Sequence, residues 1–137
     1  MGSKFCDAIT AWCSEAQHNI ADKTRDVAID IFARAIDESP DVNDNMGGFS
    51  VGHFMANWQV GLTPSSGERA GTMTREARLS QLKREITQDW FLRNDSIVLF
   101  NTASYAKAVE EGIGWIRTPG YMPVAKAHVY AMSKYGA

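Results

Sequence analysis

A chain of 137 residues has room for one domain and no separate regulatory module, and 45% hydrophobic with 22% charged residues excludes disorder along its whole length. No apolar run approaches the about 18 residues of a membrane span, and the opening Met-Gly-Ser-Lys-Phe-Cys-Asp lacks the basic and apolar stretches of a secretion signal, so a cytosolic chain without membrane contact is expected. The net charge of −2 is unevenly spread: residues 1–50 carry four basic and nine acidic side chains, the remainder ten and seven. That division suits identical subunits guided together head to tail, or a solvated acidic helix face; neither half is basic enough for a dedicated DNA-binding domain.

The first predicted element is a long helix. Phe5, Ile9, Trp12, Ala16, Ile20, Val27, Ile31 and Ala35 recur at helical steps, with Thr24 in the gap, while Asp7, Glu15, Asp22, Asp26, Asp30 and Asp37 supply the polar face. Ser3 suits its N-cap and Ser39-Pro40 its end. Such length implies either a break near Asn19 to Thr24 or an end that protrudes and packs on a neighbour, and the second is the expectation. Cys6 and Cys13 would lie about 10.5 Å apart along this axis, beyond the about 7 Å a disulfide spans. Two reduced thiols packed as small apolar groups are expected.

Residues 40–52 read as a loop by composition. Asp41, Asn43 and Asn45 imitate the opening of a calcium loop, but Met46 and Gly52 stand where that loop needs glycine and glutamate, so turn formation is the reading. Gly47 and Gly52 have phosphate-loop spacing, yet His53-Phe54 follows instead of Lys-Ser/Thr, which excludes a nucleotide site. From His53 to Leu62 apolar and polar residues alternate, predicting a strand with one polar face. A loop over 63–73 leads to a helix capped by Thr74, with Leu79, Leu82, Ile86 and Trp90 buried and Arg75, Arg78, Lys83, Arg84, Glu85 and Asp89 in water.

After a turn at Arg93-Asn94-Asp95, the apolar run Ser96 to Asn101 suits a central strand buried on both faces. Ser104 to Glu111 reads as a short helix stopped by Gly112, Ile113 to Thr118 as a returning strand, and Pro119-Gly120 as a turn. A last helix runs from Pro123 to Tyr135, its apolar face Val124, Ala127, Ala131 and Tyr135. The expected fold class is α+β: a long N-terminal helix over 1–38 and a core over 53–137. In that core a small, mainly antiparallel sheet of three to four strands packs against two further helices and one short helix, all within a single domain 1–137.

Chemistry-bearing constellations are scarce. His18, His53 and His128 fall in separate elements without metal-ligand spacing. No Gly-x-Ser-x-Gly or nucleophilic cysteine context is present, and Glu110 and Glu111, as helix neighbours, point about 100° apart. No catalytic residue, metal or cofactor is expected, and the chain is read as no enzyme.

The ordered series Ile97-Val98-Leu99-Phe100-Asn101, Tyr105-Ala106, Glu110-x-Gly112 and Pro119-Gly120-Tyr121-Met122 before a final helix is the informative part. With Asn57-Trp58 in the upstream strand and the long first helix, it resembles the neck and tail-completion proteins of tailed bacteriophages, also described as head–tail connector or minor tail components. The resemblance implies a structural virion protein of the neck that completes or terminates the tail and joins it to the head. It would assemble in the host cytoplasm into a homo-oligomeric ring, a hexamer being favoured, against head connector or stopper proteins and the tail tube. The family-motif residues would be Asn57, Trp58, Asn101, Tyr105, Ala106, Glu110, Gly112, Pro119, Gly120 and Met122. Tyr105 would anchor the short helix, Glu110 would bond loop amides or a neighbour's arginine, and Gly112 and Gly120 would supply positive-φ corners. DNA contact would be non-specific and weak, through Arg69, Arg75 and Arg78. The rival expectation is a non-enzymatic binding module that stays monomeric or dimeric.

Overall fold

The structure, a computed structural model, describes residues 2–44, 46, 48–61, 67–89, 97–112 and 119–136. In chain order these form helices α1 (Gly2–Asp37) and α2 (Val51–Ala56), strand β1 (Trp58–Gly61), helix α3 (Arg75–Asp89), strand β2 (Val98–Asn101), and helices α4 (Ala106–Glu111) and α5 (Pro123–Tyr135). The result is a mixed α+β fold dominated by helix.

Helix α1 runs unbroken for 36 residues. Its C-terminal third buries Ala28, Ala35 and Ile36, with Ile31 and Phe32 partly buried, and seats α3 and α5. Its end is tied down by side chains: Ser39 Oγ donates to the Ala35 carbonyl (2.9 Å) and accepts from Trp58 Nε1 (2.9 Å), and Arg75 donates to the Ser39 carbonyl (2.8 Å). The N-terminal half of the same helix is exposed, including Ile9, Trp12 and Ile20. Cys6 and Cys13 lie on this exposed half as free thiols, not packed as small apolar groups. The reason is simple: the body of the domain does not extend that far along the helix.

The strand expected over 53–62 is corrected. Ser50 Oγ accepts the His53 N–H (3.1 Å) and caps a helical turn, so Val51–Ala56 is α2 and, among the described residues of the segment, Trp58–Gly61 extends. The alternation failed as a guide because every position from Phe54 to Gln59 is buried, the polar ones included. β1 pairs antiparallel with β2 in the register Trp58↔Asn101 to Gly61↔Val98. Among the described residues the sheet has two strands, not three to four; the strand expected over Ile113 to Thr118, like Trp90 and the turn at Arg93 to Asp95, lies outside them. β2 is half-buried throughout, not buried on both faces.

α3 begins as its sequence predicts, with Thr74 Oγ1 accepting the Ala77 N–H (3.1 Å), and buries Leu82 and Ile86. Arg78 was expected in water and is instead fully buried, bonded to Glu85 (3.0 Å). It sits one turn before Leu82, on the stripe that faces the core. The turn reading of the Asp/Asn cluster stands for Asp41 to Asp44, where Asp44 Oδ2 accepts the Asp41 N–H (2.6 Å). α5 occupies its predicted range and clamps α1 through Asp30, which accepts Tyr130 and Tyr135 hydroxyls and the Lys134 ammonium. Lys134 foremost, then Tyr135, holds the Asp30 carboxyl down at about 2. One hydrophobic cluster, with Ile36, Phe54, Trp58, Leu82, Ile86, Val109 and Tyr121, joins the helices to the sheet.

Candidate functional site

Two joints gather most of the residues singled out by sequence. The first surrounds Asn57, the C-cap of α2, whose side chain is wholly buried. Its Oδ1 accepts the Arg69 N–H (2.7 Å) and the Thr102 hydroxyl (2.7 Å), while its Nδ2 donates to the carbonyls of His53 (2.9 Å) and Arg69 (3.1 Å). All four hydrogen-bonding positions of the amide are thus used, which is how a buried amide avoids a desolvation penalty. Gln59 continues the joint, donating to the Gly67 carbonyl (3.1 Å) and to Thr102 Oγ1 (2.5 Å). Asn101 closes it from β2: its Nδ2 bonds the Phe54 carbonyl (2.9 Å) and its Oδ1 the Ala103 N–H (3.0 Å).

His53 pins the same 67–71 segment from α2. Its Nδ1 lies 3.0 Å from the Gly71 carbonyl and its Nε2 2.8 Å from Glu68 Oε1, which also accepts the Ser104 N–H (3.0 Å). With an acceptor at each ring nitrogen the imidazolium is favoured, and Glu68 above all raises its pKa. Both ring nitrogens are thus engaged within the fold. Tyr105 stacks on Phe49 (4.6 Å between centroids) and donates to the Ser50 carbonyl (2.5 Å), anchoring the start of α4 to the start of α2. Burial, with the Glu68 charge second, pushes the Tyr105 hydroxyl up to about 12, so it remains a donor.

The second joint is the corner between α4 and α5. Glu110 Oε2 accepts the Val124 N–H (3.0 Å) and Oε1 the Ala125 N–H (2.9 Å). These are the amides that an N-cap side chain would satisfy, and Met122, the N-cap residue, supplies no such bond. Pro123 has no N–H, so the first turn of α5 is completely paired by a carboxylate from another helix. Glu110 therefore bonds amides of the last helix. Gly112 takes φ 79° at the end of α4, as expected. Gly120 does not adopt positive φ; it is needed because a Cβ there would run into the backbone of Glu110, Glu111 and Gly112. The close approach is secured by Tyr121 N–H to the Val109 carbonyl (2.8 Å). Met122 carries the left-handed conformation at φ 54°, which costs a non-glycine residue roughly 1–2 kcal/mol.

Trp58 is buried edge-on against Phe54, Ala106 is half-buried, and Pro119 is exposed at the corner. Of the arginines named for DNA contact, Arg69 is exposed, Arg75 is half-buried on Ser39, and Arg78 is internal. Among the described residues no three His, Cys, Asp or Glu converge as a metal site, and no helix is long and apolar enough to cross a membrane. Sequence reasoning missed Gln59, Glu68 and Thr102. The available signal was the polar set His53, Asn57 and Gln59, placed on a wet face when it was in fact facing another segment.

No protein-family model, characterised protein or solved structure matches the chain. Its function is therefore read from these joints and from the surfaces they leave exposed.

Proposed function

We propose that this chain is a non-catalytic structural protein of a tailed-phage neck, which completes or terminates the tail and joins it to the head. The observation that carries the reading is how the motif residues are used. Asn57, Asn101, Tyr105, Glu110 and Gly120 all fix internal corners, while half of a 36-residue helix stands clear of the body. A building block that works by shape needs rigid corners and a projecting contact element.

In this reading the copies form a ring, a hexamer being favoured, between head connector or stopper and tail tube, after assembly in the host cytoplasm. Subunit contacts are heterologous, since a ring closes only through head-to-tail interfaces. DNA in the channel is met without sequence preference, and of the three arginines named for it Arg69 is the exposed one. Deleting the coding sequence from a phage that carries it should leave filled heads and separate or overlong tails in negative-stain images, with complementation by the intact chain. Normal joined particles after deletion, together with absence of the chain from purified virions by mass spectrometry, would end the proposal.

A further inference from the structure

We infer that the N-terminal half of α1 is a docking arm that seats in a groove between α1 and α5 of a second copy of this chain. The inference rests on the self-assembly part of the reading above and names the interface. On the arm, Ile9, Trp12, Ala16 and Ile20 follow at steps of three, four and four, a single stripe. Trp12 is 69% and Ile20 63% exposed. Most helical stability in proteins comes from packing of an apolar face, and this stripe is left exposed by the rest of the described chain.

The groove is open, about 530 Å3 in volume, and its walls include Arg34, Glu38, Met122, Lys126, Val129 and Tyr130. Val129 is 67% exposed and Met122 39%. These apolar surfaces lie on the helix that also holds α1, so the receiving site continues an existing helix pair. Charge favours the match. In the groove one carboxylate, Glu38, faces two cations, Arg34 (3.0 Å) and Lys126 (3.5 Å), and α5 has lysines but no acid. On the arm Glu15, three residues after Trp12, flanks the stripe.

An arm cannot fill its own groove. Trp12 and Arg34 belong to one unbroken helix, 22 residues and so about 33 Å apart along the axis. The occupant must come from another molecule, and every copy carries both halves of the interface. The contact is therefore heterologous, and repeats until a ring closes or a filament grows.

The test uses the full chain and two variants, Trp12→Glu on the arm and Val129→Glu in the groove. Both sites are exposed, so circular dichroism and the melting temperature should match the wild type; should Val129→Glu not fold, Lys126→Glu replaces it. Light scattering across the micromolar range should find the wild type oligomeric and each variant alone at the mass of one chain. Mixed together, the two variants should form a species of two chains, because Trp12→Glu keeps an intact groove and Val129→Glu an intact arm. Oligomers that survive Trp12→Glu would overturn the docking arm while leaving the ring reading in place. Variants that fall apart but never pair on mixing would also overturn it, pointing to a symmetric arm-to-arm contact. A wild type that stays monomeric throughout the range would overturn it too, and the virion experiment above would then judge the wider reading alone.

Discussion

Replacing Glu110 by alanine isolates the joint between α4 and α5. The substitution removes both acceptors from the Val124 and Ala125 amides, and no side chain at Met122 takes their place. Losing an N-cap costs about 0.5–2 kcal/mol, and losing a negative charge at a helix N-terminus about 0.3–1 kcal/mol more. Because α5 begins at the surface, water recovers part of the loss, so about 2 kcal/mol is expected. Set against the roughly 5–15 kcal/mol that hold a domain together, that is a large share. For a chain of this size it lowers Tm by about 6–10 °C. Glu110→Gln keeps an amide oxygen for one of the two bonds and should lose about half as much. Glu111→Ala is the control, since Glu111 is exposed, and should stay within about 0.5 kcal/mol of wild type. Urea melts followed by circular dichroism read the stabilities, and hydrogen exchange should show the extra opening concentrated at the first turn of α5. The reasoning fails if Glu110→Ala and Glu111→Ala melt together within about 0.5 kcal/mol.

Further outcomes follow from the other joints. Asn57→Leu strands the Thr102 hydroxyl and releases Arg69, which should cost about 2–3 kcal/mol and bring protease cleavage at 67–71 much sooner; unchanged cleavage would refute the clamp. Gly120→Ala forces a methyl group into backbone that cannot step aside, a loss of about 3 kcal/mol, whereas Pro119→Ala at the exposed neighbour should change little; equal melts for the two would contradict the close approach. The His53–Glu68 contact is pH-dependent. The folded-state pKa of His53 is raised above 6.5, so its contribution is complete below that pH and is lost as pH rises through the folded value. That of Glu68 is lowered from 4.5, so its share is present above 4.5 and is lost as pH falls through the folded value. Exchange protection at 67–71 should therefore decline on going from mildly acidic to mildly alkaline pH, and His53→Gln should flatten that decline. Protection that holds steady or grows with pH in the wild type would count against the pair.

Elements whose signals are local were legible in the chain itself. Helix α1 follows from a long stripe of apolar residues at helical steps, α3 from the Thr74 cap, and α5 from a proline suited to a helix start, with Gly136 just beyond its end. The series Asn101, Tyr105, Glu110, Gly112 and Gly120 likewise marked the residues that build the corners. What each of them touches was not legible. Glu110 bonds amides 14 and 15 positions away, and Asn57 bonds groups 12 and 45 positions away; such partners are chosen by how the helices pack, which no spacing records.

The same limit explains the misplaced strand and the misplaced arginine. Alternation over 53–62 identifies a face only if one side of the segment meets water, and here the domain surrounds both sides of Phe54 to Gln59. With no wet side to obey, the Ser50 cap decided in favour of a helical turn. Arg78 has the composition of a surface residue and the position of a core residue, and position prevailed once Glu85 was within reach to neutralise it. Tertiary structure also decided which apolar residues remain uncovered. The stripe of α1 reads alike from end to end, but the body packs against only its C-terminal third, so the same pattern becomes core at Ala35 and exposed surface at Trp12.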